Sequence, residues 1–369
     1  MSERLNVIYN RKPCYDILVE QGFDALWDEM VSLELANKKV AIITDSNVDL
    51  LYGNALFSLF EDHGLKVCKY VFEAGEASKT LDTTKNIYSF LIENNIERKD
   101  VLIALGGGVV GDITGFVAAT YLRGVDFIQI PTTLLSQTDS SIGGKTGVDF
   151  DGYKNMVGSF KMPRLVYINL NTLETLDNRQ YFAGFAEVMK HGLLGDVVFY
   201  EWLIENMYEI CEKDTNVVTE MLVRSCNIKR EIVQKDPTEK GVRALLNLGH
   251  TIGHAIEKAK NFELLHGECV ALGTVAAAFI SWKRGLLKME EYYEIRDMFV
   301  PFYLPISVDG IDPKQILKYT KSDKKMQDDK IKMILLKKIG KAVIETDVTD
   351  QEILDAINEI YFSEEDAYA

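Results

Sequence analysis

The chain has 369 residues, 47% of them hydrophobic and 26% charged, enough for two packed domains and within the globular range. Its 56 acidic against 41 basic side chains leave a net charge of -15, which repels nucleic acid and anionic lipid over most of the surface and argues against either as a partner. The stretch MSERLNVIYN has no apolar signal core, the run Cys269 to Trp282 is too short and too rich in Ala and Gly to span a bilayer, and the five cysteines form no CxxC pair, so a cytoplasmic protein with reduced thiols is expected.

In chain order, β-branched runs at Val40–Thr44, Val67–Phe72, Val101–Leu105 and Phe127–Ile130 alternate with amphipathic segments, which predicts a mostly parallel sheet flanked by helices. Asp45 closes the first run at a carboxyl edge, where it can accept hydrogen bonds from a ribose or cap the helix after Asn47. The third run enters Gly106-Gly107-Gly108-Val109-Val110-Gly111-Asp112 and then a helical segment to Tyr121. This formal GxGxxG follows about the fourth strand instead of the first, so it is open between a nucleotide loop and a tight structural turn. Thr132 and Thr133 follow the fourth run, where hydroxyls bond phosphate or ribose or cap a helix.

Beyond Leu165–Leu170 the strand signal fades and 3.6-period segments take over at Phe199–Cys211, Val217–Val233 and Glu268–Trp282. Ile331–Leu336 and Ile339–Val343 read as a hairpin before a last helix, Asp350–Tyr361. The expected fold is an α/β, Rossmann-like nucleotide-binding domain over residues 1–171 and a mainly α-helical domain over 172–369.

Three of the five histidines, His250, His254 and His266, fall within seventeen residues. His250 and His254, four apart, share a helical face, and His266 begins the next helix. With a carboxylate they would hold a divalent metal and leave positions open for a substrate oxygen; the other reading is structural histidines with satisfied hydrogen bonds. Glu187, in the apolar run around Phe185, is the favoured carboxylate, with Lys190 on the same face. Lys145, Lys154, Lys190, Lys229, Arg243 and Lys324 recur beside Gly, Asn and His, although each alone reads equally as a surface charge. Arg243, Asn247, His250 and His254 fall on one stripe at helical spacing, which suits carboxylate or phosphate recognition by the arginine.

Taken together, GGGVVGD, YLRG, PTTLLSQTDSSIGGKTGVD, KNMVG, FAEVMKHG, RALLNLGHTIGHAIE and LHGE give the chain a resemblance along nearly its whole length to the 3-dehydroquinate synthases, a group of sugar-phosphate cyclases. The resemblance implies metal ligation by Glu187, His250 and His266, with zinc usual and cobalt able to substitute. It implies NAD+ contacts from Asp45, Asn47, Glu76, Lys79, Gly106, Gly107, Gly108, Asp112, Thr132, Thr133, Thr175 and Gln180, with Lys145 and Lys154 close to the cofactor as well. Substrate contacts fall to Arg123, Asp139, Lys145, Lys154, Asn155, Lys190, Lys229, Arg243, Asn247, His254 and Lys324, the last position open between Lys324 and Lys325.

The implied activity is conversion of 3-deoxy-D-arabino-heptulosonate 7-phosphate to 3-dehydroquinate and phosphate in the shikimate pathway, with NAD+ regenerated in each cycle. A homodimer is implied, with the arginine matching Arg123 reaching the neighbouring subunit's site. The alternatives are an amino-dehydroquinate or 2-deoxy-scyllo-inosose synthase, a glycerol-dehydrogenase-like oxidoreductase, and a non-catalytic scaffold. Arg243 and Asn247 weigh against the inosose activity, the phosphate-suited lysines against the oxidoreductase, and the intact metal and basic residues against the scaffold.

Overall fold

The computed structural model describes residues 2–322 and 332–362, and the chain divides into two units, Met1–Leu176 and Asp177–Ala369. The first unit is built on β1 (Glu3–Tyr9), β2 (Lys12–Glu20), β3 (Val40–Asp45), β4 (Val67–Phe72), β5 (Val101–Gly106), β6 (Asp126–Pro131), β7 (Lys145–Phe150), β8 (Tyr153–Phe160) and β9 (Leu165–Asn169). Its helices are α1 (Leu26–Ser32), the single turn α2 (Ser46–Val48), α3 (Asn54–Asp62), α4 (Leu81–Glu93) and α5 (Gly108–Thr120).

β3, β5, β6 and β9 are near-continuous apolar runs because both faces of the sheet are covered, which is the composition a parallel sheet demands. The seven strands run in the order β1-β2-β9-β6-β5-β3-β4, parallel except for the β1–β2 hairpin. That hairpin turns at Asn10 and Arg11, both left-handed (φ 50° and 62°), the geometry of a tight two-residue connection. A second, separate hairpin pairs β7 with β8. Neither hairpin is among the strands expected from sequence, and the glycine run closes the fifth strand rather than the fourth.

The second unit contains α6 (Asn178–Gly195), α7 (Val197–Glu205), α8 (Met207–Cys211), α9 (Thr215–Lys235), α10 (His250–Ala259), α11 (His266–Lys283), α12 (Met289–Asp297), α13 (Pro313–Ser322) and α14 (Asp350–Ile360), with an antiparallel hairpin of β10 (Met333–Lys338) and β11 (Lys341–Glu345). The segment expected as one helix over Phe199–Cys211 breaks at Asn206, whose Nδ2 donates to the Trp202 carbonyl and ends α7. The apolar run Cys269–Trp282 is explained by α11, which is buried from Gly267 to Ser281 and packed by α6, α10, α12, α14 and β10. Among the described residues no helix is long and apolar enough to cross a membrane.

Glycines set how closely these helices approach. A Cβ on Gly267 would stand 1.7 Å from the Ala183 carbonyl oxygen, and one on Gly273 1.8 Å from that of Gly249. Gly249 is itself left-handed (φ 80°) and starts α10. No side chain can be inserted at either contact, so α6, α10 and α11 meet backbone to backbone and their polar residues face one another at short range.

Candidate active site

In the first unit, a Cβ on Gly106 would lie 2.4 Å from Val110 Cγ2, one on Gly107 3.1 Å from Thr133 Cγ2, and one on Gly108 3.1 Å from Ser140 Oγ. Crowding, not a left-handed φ, requires glycine here, and the unpaired first amides of a helix such as α5 suit an anion. This cradle fits the pyrophosphate of a dinucleotide. Thr132 N donates to the Gly106 carbonyl, and the Thr133 hydroxyl bonds Ser136 Oγ at 2.9 Å. Asp45 accepts from Asn47 N and Val48 N at 3.0 and 2.9 Å, so its Oδ1 caps α2 at the carboxyl end of β3.

Lys79 joins the glycine helix to the β7–β8 hairpin. Its Nζ donates to Asp112 Oδ2 at 2.7 Å and to Asn155 Oδ1 at 2.5 Å, and its carbonyl accepts from Asp149 N at 2.8 Å. Burial pulls this ammonium down, but Asp112 and Glu76 outweigh it, so Lys79 is held above its ordinary value and stays charged. Asn155, left-handed at φ 56°, donates its N–H to Asp149 Oδ1, and Lys154 pairs with Glu76 at 3.3 Å. Glu76, Lys79, Asp112, Lys154 and Asn155 therefore form one cluster. Asp139 lies in the turn Ser136–Ser140, Lys145 opens β7, and Thr175 Oγ1 bonds the Tyr52 hydroxyl. Arg123 is exposed in a turn where it and Leu122 are both left-handed (φ 63° and 49°).

In the second unit, Glu187 and Lys190 are buried on α6 and form an ion pair. Glu187 Oε1 lies 3.2 Å from His266 Nε2 and 3.7 Å from His250 Nε2. His254 closes the group: the ring centroids of His250 and His254 are 5.1 Å apart, those of His250 and His266 5.3 Å, and those of His254 and His266 5.7 Å. One nitrogen from each of the three imidazoles falls within 4.8 Å of the others. Burial, and then Lys190, push His250 well below its ordinary value, which keeps it a neutral donor. Burial also lowers His266, but the carboxylates of Glu187 and Glu257 on its two nitrogens outweigh that and raise it to about 9. Half-buried imidazoles converging on the buried Glu187 carboxylate suit a divalent ion of the zinc or cobalt class.

The stripe expected from Arg243 through His254 is not continuous. Val242–Asn247 is a 3-10 turn, Leu248 and left-handed Gly249 interrupt it, and α10 begins afresh at His250. Arg243 is 2% exposed, and its Nη1 donates to the Pro237 carbonyl at 2.6 Å. Asp236 braces this segment by accepting from Lys240 N, Gly241 N and Arg243 N. Lys229 is buried on α9, which packs against the turn, and Gln180 is exposed in the first turn of α6. Lys324 and Lys325 lie outside the described residues.

Two acidic residues went unnoticed in the sequence. Glu239 is left-handed (φ 57°) and accepts from Asn247 Nδ2 at 3.0 Å, and Glu257 is buried beside His266 Nδ1 at 3.8 Å. Both read as ordinary helix or loop glutamates until the fold surrounds them.

Residues 69–183 match the model of the 3-dehydroquinate synthase N-terminal region and residues 184–326 that of the C-terminal region. A 3-dehydroquinate synthase from Acetivibrio thermocellus is 44% identical over 343 residues, covering 93% of this chain and 95% of the relative. Among solved structures, 2-epi-5-epi-valiolone synthase from Streptomyces hygroscopicus, with NAD+ and Zn2+ bound, superposes with a TM-score of 0.88 at 29% identity, covering 96% of this chain and 99% of that one. A 2-deoxy-scyllo-inosose synthase complexed with carbaglucose-6-phosphate, NAD+ and Co2+ gives 0.85 at 26% identity, covering 97% and 100%. With both halves matched by the same family and close relatives aligned over nearly their whole length, the chain belongs to the 3-dehydroquinate synthase family.

Proposed function

We propose that the protein converts 3-deoxy-D-arabino-heptulosonate 7-phosphate to 3-dehydroquinate and phosphate, as a carbon–oxygen lyase of the shikimate pathway. The observation that carries this reading is the convergence of Glu187, His250 and His266, beside Lys190, in a chain whose relatives are 3-dehydroquinate synthases. NAD+ supplies a hydride acceptor whose hydride is returned in each turnover, and a divalent metal supplies Lewis acidity.

The remaining work falls to the chain. Glu187, His250 and His266 hold the ion, and Lys190 balances the buried carboxylate. Gly106–Gly108 take the pyrophosphate, with Asp45, Asn47, Glu76, Lys79, Asp112, Thr132, Thr133, Thr175 and Gln180 as the other nucleotide contacts. Lys145, Lys154, Asn155 and His254 hold the substrate phosphate, which assists removal of the neighbouring proton as it leaves. Arg243 and Asn247 hold the carboxylate, with Asp139, Lys229, Arg123 and Lys324 as further substrate contacts. Nucleotide binding thus falls mainly to residues 1–171, with Thr175 and Gln180 contributing from just beyond them, and metal binding to 172–369. A cytoplasmic homodimer is part of the same reading and rests on the family resemblance, with Arg123, exposed in the turn after α5, as the residue that would reach the neighbouring subunit's site.

The test is phosphate release from the heptulosonate phosphate with and without NAD+. Substoichiometric NAD+ should support many turnovers with no accumulating NADH, and chelation should abolish activity until zinc or cobalt is restored. Accumulating NADH would favour a dehydrogenase, and a preference for glucose 6-phosphate would favour an inosose cyclase.

A further inference from the structure

We infer that Glu257 is a positioning residue for the metal set, holding the His266 ring so that Nε2 rather than Nδ1 is presented to the ion. The inference rests on the metal-dependent reading above. A neutral imidazole carries one N–H, and a ligating nitrogen must be bare, so each metal-bound histidine needs an acceptor for its other nitrogen. The structure supplies a different acceptor for each ring. His250 Nδ1 lies 3.1 Å from the Leu248 carbonyl oxygen, in its own chain segment. His266 is the first residue of α11, and its Nδ1 faces Glu257 Oε2 at 3.8 Å from the last turns of α10. The ring thus stands between two carboxylates, Glu187 on Nε2 and Glu257 on Nδ1.

Burial and mobility strengthen the argument. The Glu257 side chain is 4% exposed, a position where a carboxylate is costly unless it answers a polar group, and the imidazole does so. His266 is the more accessible ring, 32% exposed against 14% for His250, and it sits at a helix start, so it has more freedom to turn. A carboxylate also does what a carbonyl does less well: its full charge raises the basicity of the ligating nitrogen. A small closure of the 3.8 Å separation as the ring is drawn to the ion completes a charge-assisted hydrogen bond.

The experiment strips the full-length protein of metal and titrates Zn2+ against a chromophoric chelator in wild type, Glu257→Gln, Glu257→Ala, His266→Ala and the double variant Glu257→Ala/His266→Ala. Glu257→Ala should bind Zn2+ about 10- to 100-fold more weakly. Glu257→Gln, whose amide oxygen still accepts from Nδ1, should fall between. The visible bands of the Co2+ form should change, NAD+ affinity should not, and in the His266→Ala background the second substitution should weaken binding no further. Unchanged Zn2+ affinity and Co2+ bands in Glu257→Gln and Glu257→Ala, or an undiminished effect without His266, would overturn the inference. Should Glu257→Ala fail to fold, Glu257→Gln decides by the same criterion. Failure of the wild type to take up Zn2+ overturns the metal reading itself, a result distinct from wild type and variants binding alike.

Discussion

Lys190 and Glu187, one turn apart on α6, are an ion pair with side-chain exposures of 1% and 0%. Both side chains are buried, so with no metal bound the Glu187 carboxylate is answered by Lys190 and, on its other oxygen, by His266 and His250. Lys190→Met should destabilise the metal-free protein by at most about 3–5 kcal/mol, the usual cost of breaking a buried ion pair, lessened by the imidazoles that still face Glu187. Zn2+ beside Glu187 should recover part of that loss. Thermal melts with and without zinc check it: equal losses in the two states would mean that the lysine does not balance the metal carboxylate.

Gly267→Ala tests the backbone contact between α11 and α6. Its Cβ would meet the Ala183 carbonyl at 1.7 Å, so the helices must separate, and His266 is the adjacent residue. Overpacking of this kind costs roughly 1–3 kcal/mol or more. A lowered melting temperature together with weaker Zn2+ binding is expected, and a melting change with intact metal affinity would place the strain elsewhere.

Arg243→Lys keeps a cation but loses the planar fork suited to a carboxylate. Loss of one charge-assisted contact there should lower kcat/KM for the heptulosonate phosphate about 30- to 1000-fold, equivalent to about 2–4 kcal/mol, while NAD+ and metal binding persist. Near-normal efficiency would remove the arginine from substrate recognition.

Acid stability follows from Arg284 at the end of α11, whose Nε and Nη2 donate to the two oxygens of Glu352 on α14 at 2.6 and 2.9 Å. Chiefly through Arg284, Glu352 is lowered from 4.5 to about 2. A depressed carboxylate contributes stability above its unfolded value, and that contribution fades as pH falls from about 4.5 toward 2. Urea midpoints measured across this window should drop less steeply for Glu352→Gln than for wild type; parallel curves would refute the assignment.

Much of this architecture could be read because the chemistry is local. The runs Val40–Thr44 and Val101–Leu105 are buried on both faces and look so in sequence, and three histidines within seventeen residues converge because helical spacing and one short connection bring them back together. The hairpins β1–β2 and β7–β8 escaped because charged residues and glycines dilute their alternation. The arginine stripe failed because helical spacing was extended through Gly249, whose left-handed turn restarts the helix. Glu257 was invisible for another reason: in AIEKAK it resembles a solvated helix residue, and only the close approach of α10 and α11 buries it.

The placement of charge carries a consequence for encounter rates. Lys79, Lys190, Lys229 and Arg243 are at most 5% exposed, while the whole chain carries a net charge of -15. An approaching anion first meets a repulsive outer field, and the attraction of these four buried cations, unlike that of the more accessible Lys145 and Lys154, acts only at short range. Screening over about 10 Å at 0.1 M salt weakens the outer repulsion more than the enclosed attraction. Capture of an anionic substrate should consequently quicken as ionic strength rises from a low value, the reverse of the salt dependence of enzymes that attract their ligands from a distance.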